Sequence, residues 1–330
     1  MPEPLRLVFM GSDAIAIPVL DWLAGDGGSV ARLVAVVTGP DRPSGRGQAV
    51  RPNSVKAWAA GRPLAVLQPE RLDSAVLSEL TALRPDVALV AAFGHILRDE
   101  FIAVARLGTL NLHASLLPRY RGASPIQAAI SSGDGETGMT LMRIVRGLDV
   151  GPLGGAERIA VSPLDTAREV EARLAAAAVP LVARSLPCLG RGELEFRAQD
   201  GALASYCRRL EKSDGVLDFS APAHVLSARI NALSPWPSVS VLVRDTPVKV
   251  GLADSVAGAS GAVPGAVVGS DEQGLLVSTG SGVLRMRRLQ RPGGRMLDAP
   301  EFLRGFPIGA GTVLPSRPMP ALVSDSPPRR

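Results

Sequence analysis

Between Leu107 and Ile126 the chain reads Leu-Gly-Thr-Leu-Asn-Leu-His-Ala-Ser-Leu-Leu-Pro-Arg-Tyr-Arg-Gly-Ala-Ser-Pro-Ile. Apolar residues alternate through its first part, the pattern of a strand, and the alternation stops at Pro118, which cannot donate to a ladder. Asn111 and His113 are two residues apart, so on a strand both project from one face near its carboxyl end. Open α/β sheets hold their ligands there. An amide beside an imidazole suits a reaction in which negative charge grows on a carbonyl oxygen. Asn donates an N–H to that oxygen, and His donates or exchanges a proton near neutral pH. The pair points to acyl transfer.

Further apolar runs flank this strand at Leu5–Met10, Ala31–Thr38, Leu64–Leu67, Val87–Ala92 and Met139–Ile144, with helical patterns between several of them. Such alternation predicts an α/β fold with a mostly parallel sheet and helices on both faces. The first turn, Met10-Gly-Ser-Asp-Ala-Ile15, has one glycine, and no GxGxxG or GxxxxGK[ST] occurs. Dinucleotide-binding and nucleotide-hydrolysing classes are therefore disfavoured. Gly11 either brings a ligand close to the backbone or makes a plain tight turn.

Three loops carry further polar candidates. Gly39 to Asn53 is rich in Pro and Gly and holds Arg42, Arg46 and Arg51 against one acid, Asp41. A loop of that length in a compact domain reads either as a basic finger or as a solvated connection. Phe93-Gly94-His95 follows a buried-looking strand and belongs at the ligand end of the sheet. His95 has no partner at a telling spacing, and a histidine in that setting is more often structural. Asp149 sits between Gly147 and Gly151. It either turns back to hold the His113 ring and help move a proton, or closes its own loop as an Asx turn.

The whole chain sets outer limits. At 330 residues it exceeds the size at which one core usually stops growing, so two domains are expected. No uninterrupted apolar run approaches the roughly 18 to 20 residues of a membrane span. The first residues lack a basic region followed by an apolar one, so no membrane partner and a cytoplasmic location are expected. Cys188 and Cys207 show no CxxC spacing and read as reduced thiols. Residues 1–190 carry 19 basic and 18 acidic side chains, and 191–330 carry 17 and 13, so the excess of the net +5 lies in the C-terminal part. That asymmetry fits a polyanionic partner there, although high arginine usage can also be a genome-wide bias.

Asn111-x-His113, then Ser115-Leu116-Leu117-Pro118, then Gly147-Leu-Asp149 about 35 residues on, resembles the folate-dependent formyltransferase family. Within that family the match is closest to members acting on charged initiator tRNA. Thr38-Gly-Pro-Asp-Arg-Pro-Ser-Gly-Arg46, Ser205 to Phe219, Ser234-Pro-Trp-Pro237 and Leu289 to Met296 carry it, and it spans about Leu5 to Leu314. Phe93, Tyr120 and Ser234 depart from the tyrosine, tryptophan and asparagine usual there, and the first turn lacks the common Gly-Thr-Pro.

The resemblance implies a Rossmann-like formyltransferase domain with a parallel-rich sheet over 1–189, a linker over 190–206, and an OB-like β-barrel over 207–314 that contacts tRNA. Short β-rich runs at Ser238–Val243, Pro247–Gly251, Gly265–Val268 and Gly274–Ser278 agree with an all-β module. Residues 315–330, rich in Pro and Ser, are expected to be disordered. By the same resemblance 10-formyltetrahydrofolate is the co-substrate, no metal is required, and a monomer takes initiator methionyl-tRNA as acceptor. A related enzyme acting on a small amine such as an aminosugar nucleotide is the alternative. Asn111, His113 and Asp149 form the implied catalytic set. Phe93, Gly94, Ser115, Leu116, Leu117 and Pro118 line the implied folate pocket. Arg42, Arg46, Arg51, Arg208, Arg209, Arg287, Arg288, Arg291 and Arg295 are the expected tRNA contacts.

Overall fold

The computed structural model describes residues 3–44, 49–258 and 261–327. Arg46 lies outside the described residues. The first half of the chain runs through strands β1 (Leu5–Gly11), β2 (Ala31–Val37), β3 (Arg42–Ser44), β4 (Ala49–Arg51), β5 (Ala65–Leu67), β6 (Val87–Ala91) and β7 (Thr109–His113). Helices α1 (Ile17–Ala24), α2 (Ser54–Ala59), α3 (Ser74–Ala82) and α4 (Asp99–Ile102) alternate with them. Next come β8 (Arg121–Gly122), α5 (Pro125–Ser131), β9 (Glu136–Arg143), β10 (Leu153–Ala160) and α6 (Ala167–Gly190).

Seven strands make one sheet in the order β10-β9-β7-β6-β1-β2-β5. The pairs β1/β2, β1/β6, β2/β5 and β6/β7 are parallel, and β7/β9 is antiparallel. β6 is buried along its whole length, as a strand covered on both faces must be. The expected α/β class and parallel-rich sheet are therefore present, with β9 reversing direction beside the strand that carries Asn111 and His113. Gly11 faces Ala91 across β1 and β6, and a Cβ there would meet the Ala91 carbonyl at 2.3 Å. Close approach of two strand ends thus requires that glycine.

Two compact units divide the chain. The first holds residues up to Arg121, Gly138–Ile159 and Glu171–Ala204, and the second holds Gly122–Thr137, Ala160–Val170 and the residues from Ser205 onward. In the first, Val8, Met10, Val37, Leu80, Val90, Phe93 and Phe101 form a core between sheet and helices. The segment expected to be a linker is partly docked there: Arg197 and Leu153 exchange backbone hydrogen bonds of 2.8 and 3.0 Å, extending the edge at β10. The Arg143 guanidinium lies 4.4 Å from the centre of the Phe196 ring.

α6 has the length and apolarity of a membrane span, with a mean hydropathy of 1.3. Its buried residues include Val170, Leu174, Ala178, Leu181, Val182, Leu186 and Leu189, which come back to one face at each turn, while Arg168, Arg173 and Arg184 are exposed. That is the amphipathic pattern of a helix lying against a protein core.

The second unit contains β11 (Tyr206–Cys207), α7 (Ala223–Ala232), β12 (Val239–Val243), β13 (Thr246–Val256), β14 (Val267–Ser270), β15 (Leu275–Ser278), β16 (Val283–Gln290), β17 (Leu297–Asp298), α8 (Ala299–Gly305) and β18 (Val323–Ser324). Its main sheet is antiparallel, ordered β12-β13-β16-β15-β14 with β17 beside β16. Leu226, Ile230, Val250, Val277, Leu284 and Met286 are among its fully buried core residues. Asn231 is fully buried too. Its amide donates to the carbonyls of Ala253 and Pro163 and accepts from the Ala253 N–H, stitching α7 to β13.

The C-terminal stretch departs from the expected disorder as far as residue 327. Ser316 Oγ accepts from the Phe219 N–H, the Arg317 N–H donates to the Leu217 carbonyl, Leu322 is buried, and β18 pairs with β11. A few apolar residues among the prolines suffice to cover a neighbouring core edge.

Candidate active site

β7 ends the parallel run where polar side chains begin, and pairing with β6 and β9 fixes its register. Asn111 sits opposite Val90 and Met142, and His113 opposite Thr140. With a period of two, Thr109, Asn111 and His113 share one face while Leu110 and Leu112 fill the other. The Asn111 amide is half-buried and makes no side-chain hydrogen bond among the described residues, so its N–H groups remain available to a ligand.

His113 is 5 % exposed. Its Nε2 lies 2.9 Å from the carbonyl oxygen of Tyr120. A carbonyl only accepts, so Nε2 carries the hydrogen and donates it, which fixes the ring. Tyr120 presents that carbonyl from a left-handed backbone with φ of 59°. Its hydroxyl accepts from Arg119 Nη2 at 2.5 Å, and the same guanidinium stands 4.8 Å from the ring centre.

The arch between His113 and Tyr120 is braced from within. Ser115 Oγ donates to the Arg119 carbonyl at 2.7 Å, and Thr140 Oγ1 donates to the Ser115 carbonyl at 2.6 Å. The Leu117 N–H reaches Thr140 Oγ1 at 3.3 Å. Leu116 packs on Gly138, where a Cβ would meet its Cδ2 at 2.4 Å. Ser115 therefore has its hydroxyl engaged by the arch, Leu117 is buried, and Pro118 is half-buried. Just beyond the end of β6, Phe93 is buried with its ring centre 4.9 Å from that of His95, and Gly94 turns with φ of 74° beside open space.

Asp149 comes from the loop between β9 and β10. Its Oδ2 is 3.7 Å from His113 Nδ1, close enough for charge attraction and too long for a direct hydrogen bond. Orientation of the imidazole, expected from Asp149, instead comes from the Tyr120 carbonyl on the opposite nitrogen. The loop is tightly made: Asp149 has φ of 51°, Gly147 has φ of 124°, and a Cβ at Gly151 would fall 1.7 Å from the Arg143 carbonyl oxygen. Gln199, half a hundred residues away in sequence, donates to the carbonyls of Asp149 at 2.8 Å and Gly151 at 2.7 Å. Nothing local in the sequence marks Gln199, Thr140 or the Tyr120 carbonyl, because each acts through main-chain contacts that residue spacing does not encode.

The chain matches the formyl transferase family model over residues 5–186 and the formyl transferase C-terminal domain model over 209–307. It belongs to the formyl transferase family. Its relatives include the methionyl-tRNA formyltransferase of Pseudomonas syringae pv. syringae (strain B728a), 41% identical over 317 residues, covering 95% of this chain and 99% of that one. The methionyl-tRNA formyltransferase of Aromatoleum aromaticum is 39% identical over 93% of this chain and 96% of its own length. Among solved structures, the sugar 3N-formyl transferase WlaRD, crystallised with dTDP and 5-N-formyl-THF, shares the fold with a TM-score of 0.66 at 16% identity, over 88% of this chain and 99% of that one.

The arginines of this formyl transferase fall into two groups. Arg208 is bidentate to Asp214, whose side chain is 1 % exposed. Arg287 pairs with Asp254 at 2.9 Å, and Arg285 bridges Asp254 and Asp271 on the same outer face of β16. These acids come from other strands and loops, so the arginine cluster between 285 and 295 in sequence has carboxylates beside it in space. Arg42 pairs with Glu70 at 2.7 Å on the surface, and Arg288 lies 3.6 Å from Asp298. Arg51, Arg209, Arg291 and Arg295 are exposed, with Arg291 5.7 Å from the Phe306 ring centre. Among the described residues no three His, Cys, Asp or Glu side chains converge as a metal-binding group.

Proposed function

We propose that this chain transfers the formyl group of 10-formyltetrahydrofolate to the α-amine of methionine on initiator tRNA. The reading rests on one observation, the meeting of Asn111, His113 and Asp149 at the end of β7. Its acceptor is taken from relatives named methionyl-tRNA formyltransferase, aligned over 95% of the chain.

The amine nitrogen attacks the formyl carbon, a C–N bond forms, and the carbonyl electron pair moves onto oxygen. The Asn111 amide donates to that oxyanion, and losing one such donor typically costs about 3 kcal/mol of barrier. Because Nε2–H of His113 is held by Tyr120, Nδ1 is the nitrogen turned toward the reacting atoms, with Asp149 across from it. The amine proton passes to this Nδ1–Asp149 pair. With a proton on Nδ1, His113 joins Asn111 as a donor to the oxyanion. The proton then reaches the folate nitrogen as its bond to the formyl carbon breaks, and tetrahydrofolate leaves. pH–rate profiles of Asp149→Asn and His113→Asn test this step, and an unchanged rate in either removes that residue from it.

Phe93, Gly94 and the Ser115–Pro118 arch line the folate site in this reading. Arg42, Arg46, Arg51, Arg209, Arg288, Arg291 and Arg295 are the phosphate contacts, and the C-terminal sheet acts as an OB-like module. Arg208 and Arg287, whose carboxylate partners Asp214 and Asp254 are largely buried, hold its shape, whereas the partners of Arg42 and Arg288 are exposed. The test is formyl transfer to charged initiator and elongator methionyl-tRNA by wild type and His113→Ala. Transfer to the initiator alone, lost in the variant, is the expected result. Transfer to neither tRNA refutes the acceptor and points to a small-molecule amine.

A further inference from the structure

We propose that Gln199 is a positioning residue for the reaction, holding Asp149 at His113 by clamping the main chain of the Gly147–Gly151 loop. The proposal rests on formyl transfer at this site. Hydrogen bonds with three residues engage both ends of the amide. Nε2 donates to the carbonyls of Asp149 at 2.8 Å and Gly151 at 2.7 Å, and Oε1 accepts from Arg121 Nη2 at 2.7 Å and Nε at 3.2 Å. Chemistry fixes which end is which: arginine only donates and carbonyls only accept, so no flipped amide satisfies all three.

Arg121 is 5 % exposed and directly follows Tyr120, whose carbonyl holds His113 Nε2. One side chain therefore joins the segment that orients the imidazole to the loop that presents the carboxylate. The loop needs such a hold. Asp149 occupies a left-handed conformation that is unfavourable for a residue with a Cβ and persists only where its surroundings impose it. Fixing its carbonyl toward Gln199 sets the direction of its Cα–Cβ bond, and with it the 3.7 Å approach to Nδ1. The backbone exchange between Leu153 and Arg197 places Gln199 within reach, two residues beyond the paired position.

Gln199→Glu separates positioning from plain structure. The carboxylate keeps and strengthens the contact with Arg121, yet it cannot donate to either carbonyl and repels both. Gln199→Glu is expected to melt near the wild-type temperature while kcat falls about 100-fold, the scale of a misplacement near 1 Å. KM for both substrates should change little. In an Asp149→Asn background the same substitution should cost less than about threefold, because the group it positions is gone. Wild-type kcat in Gln199→Glu, or effects that multiply in the double variant, overturns the proposal.

A second readout does not depend on the acceptor. The chain has three histidines, so the imidazole 15N resonances of His113 are assignable by loss in His113→Gln. They should shift in Gln199→Glu as the carboxylate moves away, and unchanged resonances overturn the positioning role. If they shift while the wild type formylates no tRNA, the acceptor assignment fails and the positioning role stands.

Discussion

Replacing Gly151 by alanine adds one methyl group to the loop that carries Asp149. That Cβ would lie 1.7 Å from the carbonyl oxygen of Arg143, where real Cβ atoms stay at least 3.0 Å away. The obstacle is backbone at the end of β9, with no flexible side chain to give way, so the loop must move by more than about 1 Å. The Gly151 carbonyl is also one of the two that Gln199 holds, so the shift passes directly to Asp149, two residues upstream. Displacement of a reacting group by about 1 Å can cost about 100-fold in rate. Steady-state formyl transfer by Gly151→Ala should show that loss in kcat, with far-ultraviolet circular dichroism matching wild type. Gly135→Ala, where an added Cβ meets nothing within 4 Å, is the control and should retain full activity. If Gly151→Ala turned over within about threefold of wild type, placement of Asp149 by this loop would be refuted.

Other expectations follow from buried polar contacts and from the sorting of arginines. Burial pushes the Asp214 carboxyl up, but the Arg208 guanidinium, the Glu211 N–H and Arg229 outweigh it and hold it below the ordinary carboxylate range. Its stabilising contribution is therefore complete above the unfolded value near pH 3.9 and is lost as pH falls through the lower folded value. Urea unfolding should show Asp214→Asn less stable by about 3 kcal/mol at pH 7, with a flatter fall than wild type below about pH 4. Asn231→Ala leaves the Ala253 N–H and carbonyl without their partner, and chemical denaturation should register a loss of about 3 kcal/mol. Arg209→Ala should weaken tRNA binding and lower its salt slope by about one, whereas Arg208→Ala should act mainly on stability. Equal salt slopes for Arg209→Ala and wild type would remove Arg209 from the interface.

Residue spacing told most where the chemistry depends on side chains of one strand. Asn111 and His113 share a face because strand geometry alone demands it, and the apolar runs of β1, β2, β6 and β7 predict their own burial. It told least where function passes through the main chain or through distant pairs. β10, with its glycines Gly154 and Gly155, has too weak a pattern to announce a strand. β16 reads as an arginine run, yet Leu284, Met286 and Leu289 face the core while Asp254 and Asp271 from elsewhere neutralise its outer side. The Pro-rich end looks disordered by composition, and Leu322 nonetheless buries against the C-terminal core. In each case a tertiary partner overrides a local tendency, and local reading has no access to that partner.

The basic hairpin β3–β4 has a different relation to the chemistry. Its base is tied to the carboxyl ends of β1 and β2, the edge at which β7 presents Asn111. Thr38 Oγ1 donates to the Ser12 hydroxyl or the Asn53 amide oxygen, the Gly39 N–H donates to Ser12 Oγ, and Asn53 and Gln68 both donate to the Gly39 carbonyl. Lys56 and Gln68 hydrogen-bond the Asp41 carboxylate, Lys56 foremost, and hold its pKa below the usual range. Six polar side chains thus converge on a stretch that composition alone marks as a flexible Gly- and Pro-rich loop. A purely solvated connection would have no use for that many directed contacts at its root. The proposed reading gives them one, since the strands that anchor this basic hairpin and the strand that carries Asn111, the proposed oxyanion donor, belong to one hydrogen-bonded sheet. In the proposed reading, an acceptor held by this arm would be referred to the same sheet edge as the reacting carbonyl, and binding energy gained at the arm would contribute to orientation at the chemistry.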